Sequence, residues 1–450
     1  MGSIRFLAVA AAAVAAPLLA PKSAEAFPPK IEVQAAAPTG SQPKGVTLSP
    51  DGRRLYVTSY GVADKDNVSV YDATSLALIE KIDVPGTVAE SAMAPDGKTL
   101  YVTNGKRNSV QFVDLEGKKV AREVKAGMHP KGLAVSHDGK RLFAAGFDSD
   151  RVSVIDTKSG DVVRSLATEK NPHGIAITKD GRLYVANFGS KSIDIFEGAE
   201  FETHRRLKDI CKNPRHLVLA PDESKLYVSC LLANQVAVLD TKKEEFIQRV
   251  QVGRFPKAMD VTPDGRYVVT ADYRGSSVSI VDTTDWSTRT LDIPSMDAAG
   301  GIVVAKPIKA SAKEAKLADA KAERHASGNA KTTHAASSRD RAGHATHGKA
   351  KDDHAREARD QGHDGPQPIK LGARAGTAGT AGTQSVSGAS ATTPTPMPAH
   401  PALRFFVTGW YDNHVYSVGV AGSGPRYSVD SQTAQLTLKH RRIHLKHASE

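Results

Sequence analysis

The sequence predicts an all-β, seven-bladed β-propeller of four-stranded blades, and three observations carry the prediction. First, one turn-and-strand phrase recurs: "SPDGRRLYVTS" from Ser49, "PDGKTLYVTN" from Pro95, "SHDGKRLFAAG" from Ser136, "TKDGRLYVAN" from Thr178, "APDESKLYVSC" from Ala220 and "TPDGRYVVTA" from Thr262. Its acids, Asp51, Asp96, Asp138, Asp180, Asp222 and Asp264, stand 45 residues apart at the first step and 42 at the next four. Second, each period holds four short alternating segments. In the unit from Pro130 these are "KGLAVS", "RLFAAG", "RVSVID" and "VVRSLAT". A period of this length with several strands in it belongs to sheets arranged radially, not to one large core. Third, the ends of the chain complement each other, as the last unit shows.

The chain opens on a secretory plan. Arg5 is followed by an apolar stretch from Phe6 to Ala20 and by small residues at Ala24-Glu25-Ala26. Residues 1–26 are therefore expected to be a cleaved signal peptide, with a periplasmic or secreted product. The stretch is shorter than the ~20 residues of a spanning helix and is interrupted by Pro17. No other apolar run is long enough to span a bilayer.

Units open at Pro43, Val88, Pro130, Pro172, Pro214 and Pro256, which makes six. Residues 27–305 are read as these six blades and the start of a seventh, "GGIVVA" at 300–305. "LRFFVTGWYDNHVYSVGV", 403–420, supplies two more strands of that blade. Its fourth strand is missing from the expected place. "KIEVQAA" at 30–36 resembles "LIEKIDV" at 78–84, a fourth strand, so residues near 30–36 are expected to pair with those near 414–420 and close the ring.

Between the halves of the last blade, residues 306–402 form a Lys/Ala/His-rich insertion with few large apolar side chains, which composition predicts to be disordered. Its seven histidines, His344, His347 and His354 among them, suggest either weak metal buffering or a solvated tether, and we favour the tether. The tail, 421–450, includes the basic "LKHRRIHLKH". The formal net charge is +11. The insertion holds +6 of it and the tail +3, so the repeats are close to neutral, and bulk basicity says little about the propeller.

The repeated Pro-x-Gly, Ser-Pro-Asp-Gly-Lys turn and Leu-Tyr-Val-Thr-Asn resemble the YVTN-repeat, YncE-like family of bacterial β-propellers, over about residues 43–305 and 403–420. The resemblance implies the fold and an exported binding or surface protein without a shared catalytic set. Similar periplasmic members are associated with DNA binding, and more distant propellers include lactonases and haem or copper oxidoreductase domains. It implies no cofactor here, and fold alone does not choose a function.

Two rings are expected on the channel-mouth face. The residue after each opening position gives Lys44, Ala89, Lys131, His173, Arg215, Lys257 and Gly300. Four permanent cations converging on one opening call for an anion. The alternative is that their long side chains fan into water, screened by acids such as Glu90. The second ring follows the second strand: Tyr60, Gly105, Phe147, Phe188, Leu231, Asp272 and Trp410, with Tyr273 and Tyr411 one place on. Such aromatics either stack on a ligand or pack between sheets. His129, His173 and His216 lie on the same face, but out of register with one another, so no metal site is expected. Cys211 and Cys230 are expected to form a disulfide. Asp72, Asp114, Asp156, Asp240 and Asp282 recur after the third strands and are read as turn acids.

The leading expectation is an exported, monomeric, non-enzymatic propeller binding an anionic small molecule or nucleic acid at the mouth. The alternatives are a lactonase- or lyase-type enzyme, with Glu90 the nearest candidate acid or base, and an envelope scaffold that presents loops to a protein partner.

Overall fold

A computed structural model describes residues 30–306, 308 and 403–420. The expected signal peptide, almost all of the insertion and the basic tail lie outside these residues. The described chain forms seven four-stranded antiparallel sheets. Six are written in chain order, the first as Pro43–Leu48, Arg54–Ser59, Val68–Asp72 and Leu78–Ile82. The seventh takes Ala299–Val304, Arg404–Gly409 and His414–Val420 from the end of the described chain and Ile31–Pro38 from its beginning.

That last pairing closes the ring as the sequence suggested. Ile31 lies opposite Val420 and Pro38 opposite His414, with a bulge between Val33 and Ala35. The closing strand serves two seams at once. Ile31 joins the core between blades 6 and 7, while Ala35 and Ala37 join that between blades 7 and 1, beside Phe406, Leu55 and Tyr71. Tyr71 also donates its hydroxyl hydrogen to the Pro38 carbonyl at 2.6 Å.

The cores lie between blades and not within one. Tyr56, Val68 and Val70 of blade 1, for example, pack on Leu100, Val102 and Val113 of blade 2. Second and third strands are buried along nearly their whole length, whereas fourth strands such as Val162–Ala167 are mostly exposed. This explains why middle strands read as continuous apolar runs and outer strands carry charge.

The recurring acids shape turns. Asp51, Asp96, Asp138, Asp222 and Asp264 each accept the amide two residues on, at 2.9–3.1 Å. The glycine that follows has positive φ in five units. In the fifth unit Glu223 occupies the same left-handed position, φ 59°, and accepts the Lys179 amide of the preceding blade at 3.0 Å. Asp72, Asp156 and Asp240 each cap two amides of the later turn.

One irregularity repeats in every blade and builds the site. The first strand pairs normally at its opening residue and then bulges, so that two residues oppose one on the second strand. In blade 1 Lys44 and Gly45 together face Thr58. Bulges re-aim side chains out of the ladder, and here they release the ring residues toward the channel mouth.

Candidate functional site at the channel mouth

The first residue of each bulge is Lys44, Ala89, Lys131, His173, Arg215, Lys257 or Gly300, which is the ring read from the repeat. These side chains do not fan into solvent. Lys44, His173 and Arg215 are only 7%, 6% and 8% exposed.

The second bulge residue explains the closeness of the ring. In blades 1, 3, 4 and 7 it is glycine, and a Cβ there would lie 2.7, 2.0, 2.5 and 2.3 Å from the ring carbonyl of the next blade, belonging to Ala89, His173, Arg215 and Lys44 respectively. The glycine of the Pro-x-Gly phrase is thus a spacing device between inner strands. Its freed amide donates to a hydroxyl of the second strand where one exists: Gly45 to Thr58 Oγ1 at 2.9 Å and Gly301 to Thr408 Oγ1 at 2.8 Å. Blades 2, 5 and 6 break the pattern with Glu90, His216 and Ala258. The first two bring titratable side chains to the cationic ring, and the departure from Pro-x-Gly was the sequence signal for them.

Glu90 is the counter-charge. Its Oε1 lies 3.7 Å from Lys44 Nζ, with the Glu90 side chain about a quarter exposed. Burial pushes its carboxyl up, but Lys44, then Arg215, His216 and Lys257, outweigh that and hold it below the ordinary value. Lys44 is lowered by burial, against the pull of Glu90. Burial, with Lys44 and Arg215 adding to it, brings Lys131 down to about 8. Lys257 falls well below its usual range for the same reasons. Burial lowers His216 to about 4 and His173 well below its ordinary value, so both imidazoles are neutral at pH 7. The Nδ1 atoms of both are buried without a hydrogen-bond partner.

Aromatic rings wall the cations. Tyr60 and Trp410 stack at 6.0 Å, and Lys257 Nζ sits 4.0 Å from the Trp410 centroid and 4.2 Å from that of Tyr273. Lys44 Nζ is 5.4 Å from the Tyr60 ring and Lys131 Nζ 5.6 Å from Phe147. Phe147 and Phe188 flank His173 at 6.0 and 6.3 Å. The sixth blade needs a correction: Asp272 is not a ring residue. It pairs with Pro256 at the end of the second strand, as Ser59 pairs with Pro43, and is fully buried. Tyr273 takes the ring place, its amide bonded to Phe255 O as that of Tyr60 is to Gln42 O. Tyr273 lies nine residues after Asp264, as Tyr60 lies nine after Asp51, so taking Asp272 ends the sixth blade's second strand one residue early.

The histidines do not converge. His129 bonds Asp148 and Lys131 at the rim, whereas His173 is buried and His216 half-buried, and no cluster of metal-ligating side chains occurs among the described residues. Cys211 and Cys230 are bonded, Cα atoms 5.8 Å apart, with Cys230 in the core between blades 4 and 5. At the other end of the channel a cavity of about 800 Å³ is lined by Leu48, Met93, Val218, Asp260 and Lys306. It shares none of the ring cations. No described helix is long and apolar enough to cross a membrane.

Comparison with known proteins gives one family. Residues 30–182 and 177–305 match the model described as YNCE-like beta-propeller. Antigen Lp49 of Leptospira interrogans is 23% identical over 242 residues, 53% of this chain and 38% of that protein. Hydrazine synthase subunit beta of Kuenenia stuttgartiensis is 41% identical over 56 residues, 12% of this chain and 14% of that one. The aligned parts thus span well under two thirds of these relatives' lengths. Among solved structures, Kuenenia stuttgartiensis hydrazine synthase superposes with TM-score 0.40 at 21% identity, covering 54% of this chain and 96% of that chain.

Proposed function

The chain belongs to the YNCE-like β-propeller family, and from that premise we propose that it is an exported, non-enzymatic binding protein whose channel mouth takes an anionic ligand. One observation carries the reading. Lys44, Lys131, Arg215 and Lys257 interact through space in one opening, against Glu90 and, at Lys131, Asp148. An excess of buried like charge costs folding free energy unless something bound offsets it. The unpartnered imidazole nitrogens of His173 and His216 offer neutral polar contacts in the same place. The aromatic wall of Tyr60, Phe147, Phe188 and Trp410 supplies flat apolar surface beside the charge.

Export rests on the N-terminal residues 1–26 and fits the bonded cysteines, since such bonds persist in oxidising compartments. The test is calorimetric titration of the mature chain with pyrophosphate, citrate and a short single-stranded oligonucleotide at two salt concentrations. Binding is expected to weaken on adding salt and in Lys131→Ala and Arg215→Ala. Affinity indifferent to both changes removes the proposal. Mass spectrometry of the protein from a periplasmic fraction, expected to begin at Phe27, checks the compartment.

A further inference from the structure

Lys131 stands in a hydrogen-bonded chain that no other ring cation has. Its Nζ is 3.0 Å from His129 Nε2, and His129 Nδ1 is 3.1 Å from Asp148 Oδ2. With the Nδ1 hydrogen donated to Asp148, Nε2 is left as an acceptor for the lysine ammonium. The relay lies at an exposed rim, the His129 and Asp148 side chains 38% and 46% exposed, but its imidazole is held in place. His129 holds a left-handed backbone, φ 50°, with its amide bonded to Asn108 Oδ1 at 2.8 Å. Its imidazole fills the space left by Gly105, the one ring position of the second set without a side chain; a Cβ there would lie 2.3 Å from His129 Cδ2. Where other blades place Tyr60, Phe147 or Trp410, this blade makes room for a proton acceptor.

We propose that Lys131 is a nucleophilic amine that condenses reversibly with a carbonyl carried by the anionic ligand. This rests on the anion reading above and specifies it: the ligand class is an aldehyde or ketone bearing a carboxylate or phosphate. Lys131 passes one proton to His129 Nε2, and its freed lone pair adds to the carbonyl carbon, giving a carbinolamine. His129 returns the proton to the departing hydroxyl, one water leaves, and a protonated imine remains. Nothing is oxidised or reduced, and hydrolysis releases ligand unchanged, so the site captures and does not turn over. Lys44, Arg215 and Lys257, with Glu90 and Asp148 opposing, are the charges that face the amine. A partly desolvated lysine next to other cations is the usual form of an amine nucleophile, and the lowered Lys131 agrees with it.

The experiment incubates the full mature chain with pyridoxal 5′-phosphate, traps imine with borohydride and maps the modified lysines by mass spectrometry across pH 6–10. Lys131 is expected to label first, with a midpoint near pH 8. Labelling should slow at least about tenfold in His129→Gln and in Asp148→Asn, and should vanish at this site in Lys131→Arg, with melting temperatures unchanged. Label spread over exposed lysines, or a rate at Lys131 indifferent to both relay variants, overturns the proposal. Excess pyrophosphate should protect, and neutral benzaldehyde should label far more slowly. Calorimetric pyrophosphate binding without labelling of Lys131 sinks the imine and leaves the anion reading standing. Labelling that ignores both pyrophosphate and ligand charge sinks the anion reading and leaves the relay.

Discussion

Glu90 and Lys44 meet across the seam between blades 1 and 2, carboxylate and ammonium 3.7 Å apart, each released by the bulge of its own inner strand. Glu90 is the acid that Lys44, Arg215, His216 and Lys257 all feel. Glu90→Gln keeps the shape and removes the charge. The variant is expected to bind pyrophosphate at least about threefold more tightly at low salt, because one opposing charge is gone. It should also melt at a lower temperature without ligand, since the cations then repel uncompensated. Calorimetry and thermal melts, each at two salt concentrations, check both halves.

Gly132 sets the distance between blades 3 and 4. A methyl there would lie 2.0 Å from the His173 carbonyl oxygen, a backbone atom that cannot swing away. Gly132→Ala is therefore expected to lose ~2 kcal/mol or more, in the range of overpacked cores. Gly181 is the control. It has φ 92° but nothing near its missing Cβ, so Gly181→Ala should cost only about 1 kcal/mol, for the left-handed backbone. Denaturant midpoints of the two variants make the comparison.

Asp272 connects stability to pH. It is fully buried, and burial raises its carboxyl to about 7 although Ser279, Thr270 and Ser277 bond it. The raised folded-state value means that its stabilising contribution is complete below about pH 4 and disappears as pH rises through 7. At ~1.4 kcal/mol per unit, up to about 4 kcal/mol is at stake. Melting temperature should fall between pH 5 and 8, and Asp272→Asn should flatten that slope. An equal slope in both proteins would show that another group carries it.

The Cys211 to Cys230 bond closes a loop of 19 residues' separation beside the core between blades 4 and 5. Loop-closure entropy for that length is about 3 kcal/mol. Cys211→Ser with Cys230→Ser is expected to lower the urea midpoint accordingly. Adding dithiothreitol should shift the unaltered protein by the same amount and leave the double variant unmoved.

Two kinds of information separate here. The blade number, the strand order and the closing strand were legible because each is local or periodic: a turn acid every 42 residues, alternation within six residues, and a fourth strand missing from one end and present at the other. The ring of Lys44, Lys131, His173, Arg215 and Lys257 was legible for the same reason, since equivalent positions of a closed array must converge. Other features depend on distances between strands that the repeat does not encode. The sequence had no way to say that Lys44 and Arg215 are buried or that Gly132 abuts a carbonyl. Nor could it join Asp148, His129 and Lys131, because a hydrogen bond is decided within a few tenths of an ångström by a bulge and a left-handed residue. Periodicity specifies which residues share a place, and only packing decides what each of them touches there.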